Sequence, residues 1–535
     1  MCRQKNGTLL MTTERKNASR AAECRKADLQ EWCVAARNVV DLVPHKAAWQ
    51  HVGVAVAYPA RLLADQLLGT GMRLVLDFGE TLVGKVRLRL ESGGESDRPV
   101  RLKLLAAELP YEADRDPETF CGGLGSGWLQ EELITVHDFP AELELPHRYS
   151  LRYLVVTVVS APVCRVKLTR AEVIARSAAG EALPPPLPGW DRELSLIDAA
   201  CSRTLRNCMQ ELFEDGPKRD RRLWLGDLRL QALADHVTFR RYDRVGRCIR
   251  LLAACRDERG MIPGAVIAKP EPHASSFVLD YSLIFARLLL EHCRFSGDPE
   301  LGGEFFDAAA RQFDFFRAGL DDELGFHHPG GWIFVDHCRE LDRTVPISCT
   351  AIWAAEAMAE LAELLKRPAS EAARWRAEAE SWRRALRGSS FDPELGMLRS
   401  GYGRQLSWAS QIWGILAGVL SPEEGRAALK ALEKREDAVK PNSPYLMHYL
   451  LEAYRCCGAE EYLRDTIRRY WGGMIRRGAD TFWEVYREDD DFYTPYGSGC
   501  GEPDPRSNSA CHAWSGTPGY FLRTGPPAEG GGGRR

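Results

Sequence analysis

Residues 180–190 read GEALPPPLPGW, and this proline cluster constrains the chain more than any other feature because the hydrophobic period changes across it. Proline has no amide proton to give and a fixed φ, so neither a helix interior nor a central strand can run through such a stretch. It reads as a semi-rigid connector. A chain of 535 residues also exceeds what one hydrophobic core serves, so at least one boundary is expected on size alone. We divide the sequence into residues 1–72 without an assigned fold, a β-domain at 73–185, a helical domain at 186–525 and a flexible glycine-rich tail at 526–535.

From Arg73 to the prolines the sequence breaks into strand-length runs: RLVLDFGE, GKVRLRLES, VRLKLLAAEL, ELITVHDF, YLVVTVVS and RVKLTRAEVIA. Val86, Leu88 and Leu90 alternate with Lys85, Arg87 and Arg89, the pattern of antiparallel strands with one face in water. These runs predict a β-sandwich. Upstream, a short helix is expected between residues 29 and 40.

Beyond the prolines, apolar residues recur at three and four. Twelve helical stretches follow, at 191–213, 227–240, 244–256, 279–295, 300–318, 348–366, 370–387, 406–418, 421–434, 443–457, 459–477 and 509–523. Ser421 and Ser443 each precede a proline at a helix start, a favourable N-cap arrangement. Stretches such as 407–420 are apolar on nearly every side, which implies burial between two layers. Six helical hairpins closed into an (α/α)6 toroid satisfy both the number and the burial. A solenoid of tandem repeats would need a fixed sequence period, and none is visible.

Composition narrows the partners. With 71 basic and 75 acidic residues the formal charge is -4, which leaves no excess to condense on nucleic acid or an anionic membrane. No window approaches the apolar length of a membrane span. The N-terminus has no apolar stretch of secretory length, so a cytoplasmic location is expected. The 16 cysteines are scattered without CxxC spacing, and most are expected to be small buried hydrophobes rather than metal ligands. No metal and no cofactor are expected, and the oligomeric state is not legible.

Two segments carry chemistry. The first, between the first two helices, is EDGPKRDRRLWLGD at 214–227. It can be read as a salt-bridged turn, but Gly216 and Pro217 stiffen it where Asp215 emerges, and Trp224 offers a flat face on which a sugar ring can pack. Arginines on both sides of Asp220 favour its ionised form, so proton donation would require burial or a neighbouring like charge. The second segment, GADTFWEVY at 478–486, surrounds Glu484 with Phe482, Trp483 and Tyr486. Two carboxylates on facing loops are what glycoside hydrolysis uses; inversion needs them about 6.5–9.5 Å apart and retention about 5–5.5 Å. Spacing in sequence does not decide between them.

These segments resemble the bacterial α-L-rhamnosidases. Residues 215–227, D-G-P-K-R-D-R-R-L-W-L-G-D, align without a gap to the acidic loop that commonly reads D-C-P-Q-R-E-R-L-G-W-T-G-D. The resemblance implies sugar-binding roles for Asp215, Arg219, Trp224 and Asp227, and places Asp220 at the general acid, where the common residue is glutamate. Asp480 to Glu484 is similar to the family's T-x-W-E segment, which implies Glu484 as the general base of an inverting reaction. The match continues to Ser509–Trp514, expected in the last helix, where His512 is implied to contact the sugar. Weaker echoes add Asp280–Tyr281, Trp332 and Asp336, with Trp483 beside the base. On the β-side, residues 76–80 and 147–153 are similar to the sandwich preceding the catalytic domain of these enzymes. The trailing β-domain of many members is not expected, which makes this a compact variant.

The resulting expectation is an inverting hydrolase that removes terminal α-L-rhamnose from oligosaccharides or plant glycosides. Two rivals stay open: a toroid glycosidase for another deoxy-sugar or a uronic acid, since fold does not fix substrate, and a carbohydrate-binding homologue with weakened catalysis.

Overall fold

The computed structural model describes residues 28–94, 99–163, 165–320 and 332–525. The expected tail at 526–535 lies outside them. Among the described residues nine strands make up the first domain: β1 (Gln30–Ala35), β2 (Asn38–Pro44), β3 (Val52–Pro59), β4 (Arg73–Ser92), β5 (Val100–Ala107), β6 (Gln130–Val136), β7 (Ala141–Glu144), β8 (Tyr149–Ser160) and β9 (Val166–Ser177). Among the described residues the β-structure therefore begins at Gln30, within the stretch that the sequence left unassigned. Where a short helix was expected at 29–40 there are two strands. β1 pairs antiparallel with β9, and β2 with β3 and the start of β4, so partners distant in sequence override a weak local helical pattern.

The two runs RLVLDFGE and GKVRLRLES are one strand. β4 pairs with β8 through its first half and with β9 from Gly84 onward. Its register with β8 shifts between Asp77 and Leu82, and Gly79 takes a left-handed φ of 87° there. This bend carries the strand from one layer to the other. The core between the layers is built from alternating residues, including Leu76, Val86, Leu88, Leu102, Leu151 and Val173.

β9 ends at Ser177 and the first long helix starts at Arg192, with neither helix nor strand between them. The helices are α1 (Arg192–Cys208), α2 (Leu225–Val237), α3 (Tyr242–Ala254), α4 (Leu279–Ser296), α5 (Glu300–Arg317), α6 (Thr344–Leu364), α7 (Ala369–Ser390), α8 (Trp408–Leu416), α9 (Pro422–Leu432), α10 (Pro444–Cys456), α11 (Glu460–Thr466) and α12 (Pro518–Thr524). α11 runs on through a π turn, Ile467–Trp471, into Gly472–Arg476. Ser421 forms a full capping box with Glu424, and the Ser443 side chain caps α10. The even-numbered helices form an inner ring: α2 packs on α4, α4 on α6, α6 on α8, α8 on α10, and α10 on the 3-10 turn Ala513–Gly516 that leads into α12 and returns to α2. Composition separates the rings. α6 is buried over most of its surface, whereas its outer partner α7 buries little beyond Ala372, Trp375, Ala379 and Leu386. The last helix is shorter than expected, since residues 509–512 are not helical. Among the described residues no helix is long and apolar enough to cross a membrane.

The β-domain grips the loop that follows α1. Arg148 makes a bidentate pair with Glu214 at 2.9 and 2.7 Å, and Glu80 accepts from Arg203 at 2.8 Å. Lys218, 2% exposed, reaches across to Glu112 and lies 3.6 Å from Glu108. Glu108 in turn accepts from Ala510 N at 2.7 Å, so one carboxylate touches two loops of the helical domain. A disulfide, Cys121–Cys500, also joins the domains. Most of the other described cysteines are buried thiols. Replacing Lys218 with alanine should leave Glu108 and Glu112 buried without a counter-charge, at a cost of about 3–5 kcal/mol. Urea unfolding at neutral pH measures this, and a loss below about 1 kcal/mol, the size of an exposed pair, would show that the two glutamates do not depend on Lys218.

Candidate active site

The acidic loop is shaped by its own carboxylate. Asp215 accepts from the backbone N–H groups of Asp220 and Arg222, each at 3.0 Å, and so closes residues 215–222 into a tight turn. Gly216 is required there, because a Cβ would stand 2.4 Å from the Arg219 carbonyl oxygen. Arg221 takes a left-handed φ of 62°, which turns the chain outward after Asp220. Leu223 and Trp224 then pair with Val266 and Ala265, which sets the indole edge-on to Trp332 at 5.9 Å and to Tyr281 at 6.4 Å. Asp227 follows in the first turn of α2.

Glu484 comes from the loop after α11. Its N–H donates to Ser509 O at 2.9 Å, and its Oε2 accepts from Ser509 N at 3.0 Å. His512 N donates to Phe482 O at 2.8 Å, and Ala513 N donates to Asp215 O at 2.7 Å. Three separate segments are thereby stitched edge to edge. His512 stands in extended backbone just before the 3-10 turn rather than inside the last helix, which lets it pair with residue 482 on one side while residue 513 reaches Asp215.

Arg219 joins the two acidic segments. Its Nη1 donates to Asp220 Oδ1 at 3.1 Å, its Nη2 to Glu484 Oε2, and its Nε to Ser507 O at 2.6 Å. The Tyr496 ring lies under the guanidinium at 4.3 Å, and the Tyr496 hydroxyl donates to Glu484 Oε1. Burial pushes the Glu484 carboxyl up, but Arg219, His512 and His337 bring its pKa down to about 2, so it is ionised at neutral pH. Asp215 goes the other way. Burial, and then the charge of Asp220, raise it to about 7. Asp227 is also raised by burial, while His512 moves up because Asp227, Glu484 and Asp215 outweigh its own burial. His337, by contrast, is lowered by burial to about 4 and is neutral at neutral pH.

These groups line a cavity of about 270 Å³. Of the residues singled out in the sequence, Asp215, Arg219, Asp220, Trp224, Asp227, Trp332, Glu484 and His512 all face it. Asp336 and Trp483 do not. Asp336 is a tie between loops, its oxygens taken by Ser443 Oγ, Asn442 N and His337 N. Trp483 points behind Glu484 and packs on Trp49 of the β-domain at 4.6 Å. The cavity also recruits residues that sequence reasoning missed: His337, Tyr496, Trp514, Phe334 and Arg222, with Leu124 and Trp128 from the β-domain. Tyr496 sits in a glycine- and proline-rich stretch without a period, so nothing local marked it. On the cavity floor Asp227 Oδ1 and both ring nitrogens of His512 are buried without a hydrogen-bond partner in the protein, and the Asp227–His512 approach of 3.4 Å lacks hydrogen-bond geometry. Buried polar atoms of this kind need partners, and sugar hydroxyls have the right chemistry. Among the described residues no group of three or more His, Cys, Asp or Glu side chains is arranged to hold a metal ion.

Comparison with known proteins gives the family and the fold. Residues 36–175 match the family model for the glycosyl hydrolase family 78 α-rhamnosidase N-terminal domain, and residues 191–525 that for the bacterial α-L-rhamnosidase six-hairpin glycosidase domain. A rhamnosidase from Klebsiella oxytoca, solved with rhamnose bound, is 34% identical with a TM-score of 0.90, and the alignment covers 95% of this chain and 98% of that one. A family 78 rhamnosidase of Bacillus sp. GL1 shares the fold at 21% identity and a TM-score of 0.70, over 88% of this chain and 49% of its own. An α-L-rhamnosidase of Streptomyces avermitilis does so at 16% identity and a TM-score of 0.64, over 93% of this chain and 44% of its own. The chain thus spans about half the length of these last two. A search of curated proteins gives no match. With a family model matched across the helical domain and a second across the β-domain, the chain belongs to glycoside hydrolase family 78, the bacterial α-L-rhamnosidases.

Proposed function

We propose that this glycosidase removes terminal α-L-rhamnose from oligosaccharides or plant glycosides with inversion, Asp220 serving as general acid and Glu484 as general base. The observation that carries the reading is the shared Arg219 guanidinium. Its two terminal nitrogens hold one carboxylate each, and the fork has a fixed span. The nearest carboxylate oxygens therefore lie within roughly 8 Å of one another, close enough for an acid–base pair of either stereochemical course, and the inverting one is taken from the family resemblance. Asp215, Asp227 and His512 offer buried polar groups to hydroxyls, and Trp224 and Trp332 offer faces to the apolar side of a deoxy-sugar. The Klebsiella relative was solved with rhamnose bound, which favours that sugar here.

In the reaction, Asp220 gives its proton to the glycosidic oxygen as the bond to the anomeric carbon breaks. Water attacks from the opposite face and gives its proton to Glu484. Arg219 keeps Glu484 ionised and prevents the two acids from sharing a proton. A second reading has one observation behind it: of the carboxyls lining this cavity, Asp215, at about 7, and Glu484, at about 2, are driven strongly in opposite directions. Divergence of this kind marks an acid–base pair. In that case Asp215 is the donor and Asp220 a sugar ligand.

On a panel of nitrophenyl glycosides the α-L-rhamnoside should be the preferred substrate, and NMR of the first product should show the β-anomer. A preferred uronide or an α-anomer would end the proposal in its present form. Glu484→Gln should lower kcat about 10²- to 10⁴-fold on every substrate, as loss of a general base does. Asp220→Asn should be as damaging on a rhamnose disaccharide but much milder on the nitrophenyl glycoside, whose leaving group needs no proton. If Asp215→Asn shows that split instead, the second reading replaces the first. With Asp215 protonated below about pH 7, kcat/KM on the disaccharide should fall as the pH rises through that value. Asp215→Asn, neutral at every pH, should flatten this limb, and an unchanged limb would mean that another group sets it.

A further inference from the structure

His337 has no part in the acid–base pair or in the sugar cup, yet it stands at the centre of the site. Its Nε2 lies 3.8 Å from Glu484 Oε1, too far for a direct hydrogen bond and suited to a bridging water. The bonds to Glu484 are unequal. Oε2 takes both Arg219 and Ser509 N, whereas Oε1 takes only the Tyr496 hydroxyl and keeps acceptor capacity on the side where His337 lies. The ring is fixed from three sides, edge-on to Phe334 at 5.0 Å, Tyr496 at 5.8 Å and Trp514 at 5.5 Å. Its backbone is held as well: His337 N donates to Asp336, and His337 O accepts from Asn442 and Tyr493. Two residues earlier Val335 has a φ of 56°, a left-handed conformation costly for a β-branched residue, held by a bond from its N–H to Asp280 at 3.0 Å.

His337 also forms part of the wall between two cavities. The catalytic cavity of about 270 Å³ and a second one of about 530 Å³ share Trp332, Phe334 and His337. The second cavity is more polar than the first, with Arg339, Asn442, Tyr493 and Thr494 among its lining residues, and does not include Glu484 or the acidic loop. Polar groups behind His337 give water partners on that side.

Resting on the inverting reading above, we infer that His337 is a positioning residue for the attacking water, which it holds against Glu484 and receives from the second cavity. The water gives one hydrogen to Glu484 Oε1 and offers the other to His337 Nε2, which leaves an oxygen lone pair for the anomeric carbon. As the new C–O bond forms, the first proton passes to Glu484, the glycosidic C–O bond breaks and its electron pair stays on the leaving oxygen. His337 neither gains nor loses a proton.

The test compares variants that separate packing from hydrogen bonding. His337→Phe keeps an aromatic ring and loses Nε2, while His337→Gln places an amide near the position of Nε2 without the ring. On the nitrophenyl α-L-rhamnoside, His337→Phe should lower kcat about 10²-fold with KM changed less than about twofold, as expected when a reactant is misplaced. His337→Gln should recover at least about tenfold of that loss. Should the Phe variant not fold, His337→Asn takes its place, since its amide reaches only the Nδ1 position and should be as poor. Wild-type kcat in the Phe variant, a Gln variant no better than Phe or Asn, or a loss carried by KM would each overturn the assignment of His337 alone. Failure of the unmodified chain to hydrolyse any rhamnoside would overturn the hydrolase reading together with it.

Discussion

The guanidinium of Arg219 is buried at 3% exposure between two carboxylates from segments more than 250 residues apart, and the catalytic end of the molecule is organised around that contact. Two carboxylates brought together in a low-dielectric pocket repel, and one of them takes up a proton. An arginine that always carries its charge removes that outcome for Glu484 and fixes the direction in which each acid points. The Tyr496 ring beneath it and the Ser507 carbonyl at its Nε leave it no other orientation. Asp215 receives no such cation, and its carboxyl stays near neutral pH for want of one.

The β-domain takes part in this arrangement. Glu108 and Glu112 receive Lys218, the residue next to Arg219, so the acidic loop is pulled toward the sandwich at the point where the guanidinium must enter the pocket. Glu108 also accepts from Ala510 N, within the segment that pairs with Glu484. Trp49 supports Trp483 behind Glu484, and Leu124 with Trp128 completes the cavity wall. Loss of the sandwich would therefore alter the catalytic loops themselves.

Much of the site was legible because the acidic loop is local. Asp215, Gly216, Arg219, Asp220, Trp224 and Asp227 lie within thirteen residues, and the turn is closed by hydrogen bonds among them, so spacing and chemistry could be read together. Glu484 was legible from its aromatic surroundings. Trp483 belongs to those surroundings but faces away, since neighbours in an extended segment point to opposite sides. Asp336 is acidic and near the mouth, but its oxygens are used in joining two loops. His337 and Tyr496 were not legible, because their significance lies in what they touch.

The sequence by itself determined the change from strands to helices at the prolines, the succession of helical stretches beyond them, and the identity of about half of the groups in the cavity. These follow from backbone chemistry and from hydrophobic period, which are local properties. Only the tertiary structure decided that β1 to β3 are strands, that one strand serves both layers of the sandwich, and which carboxylate is ionised. Strand pairing requires a partner that the local sequence does not name. The charge state of a buried acid depends on the desolvation and cations around it, and for Glu484 the foremost cation is Arg219, which meets it only when the ring of helices closes.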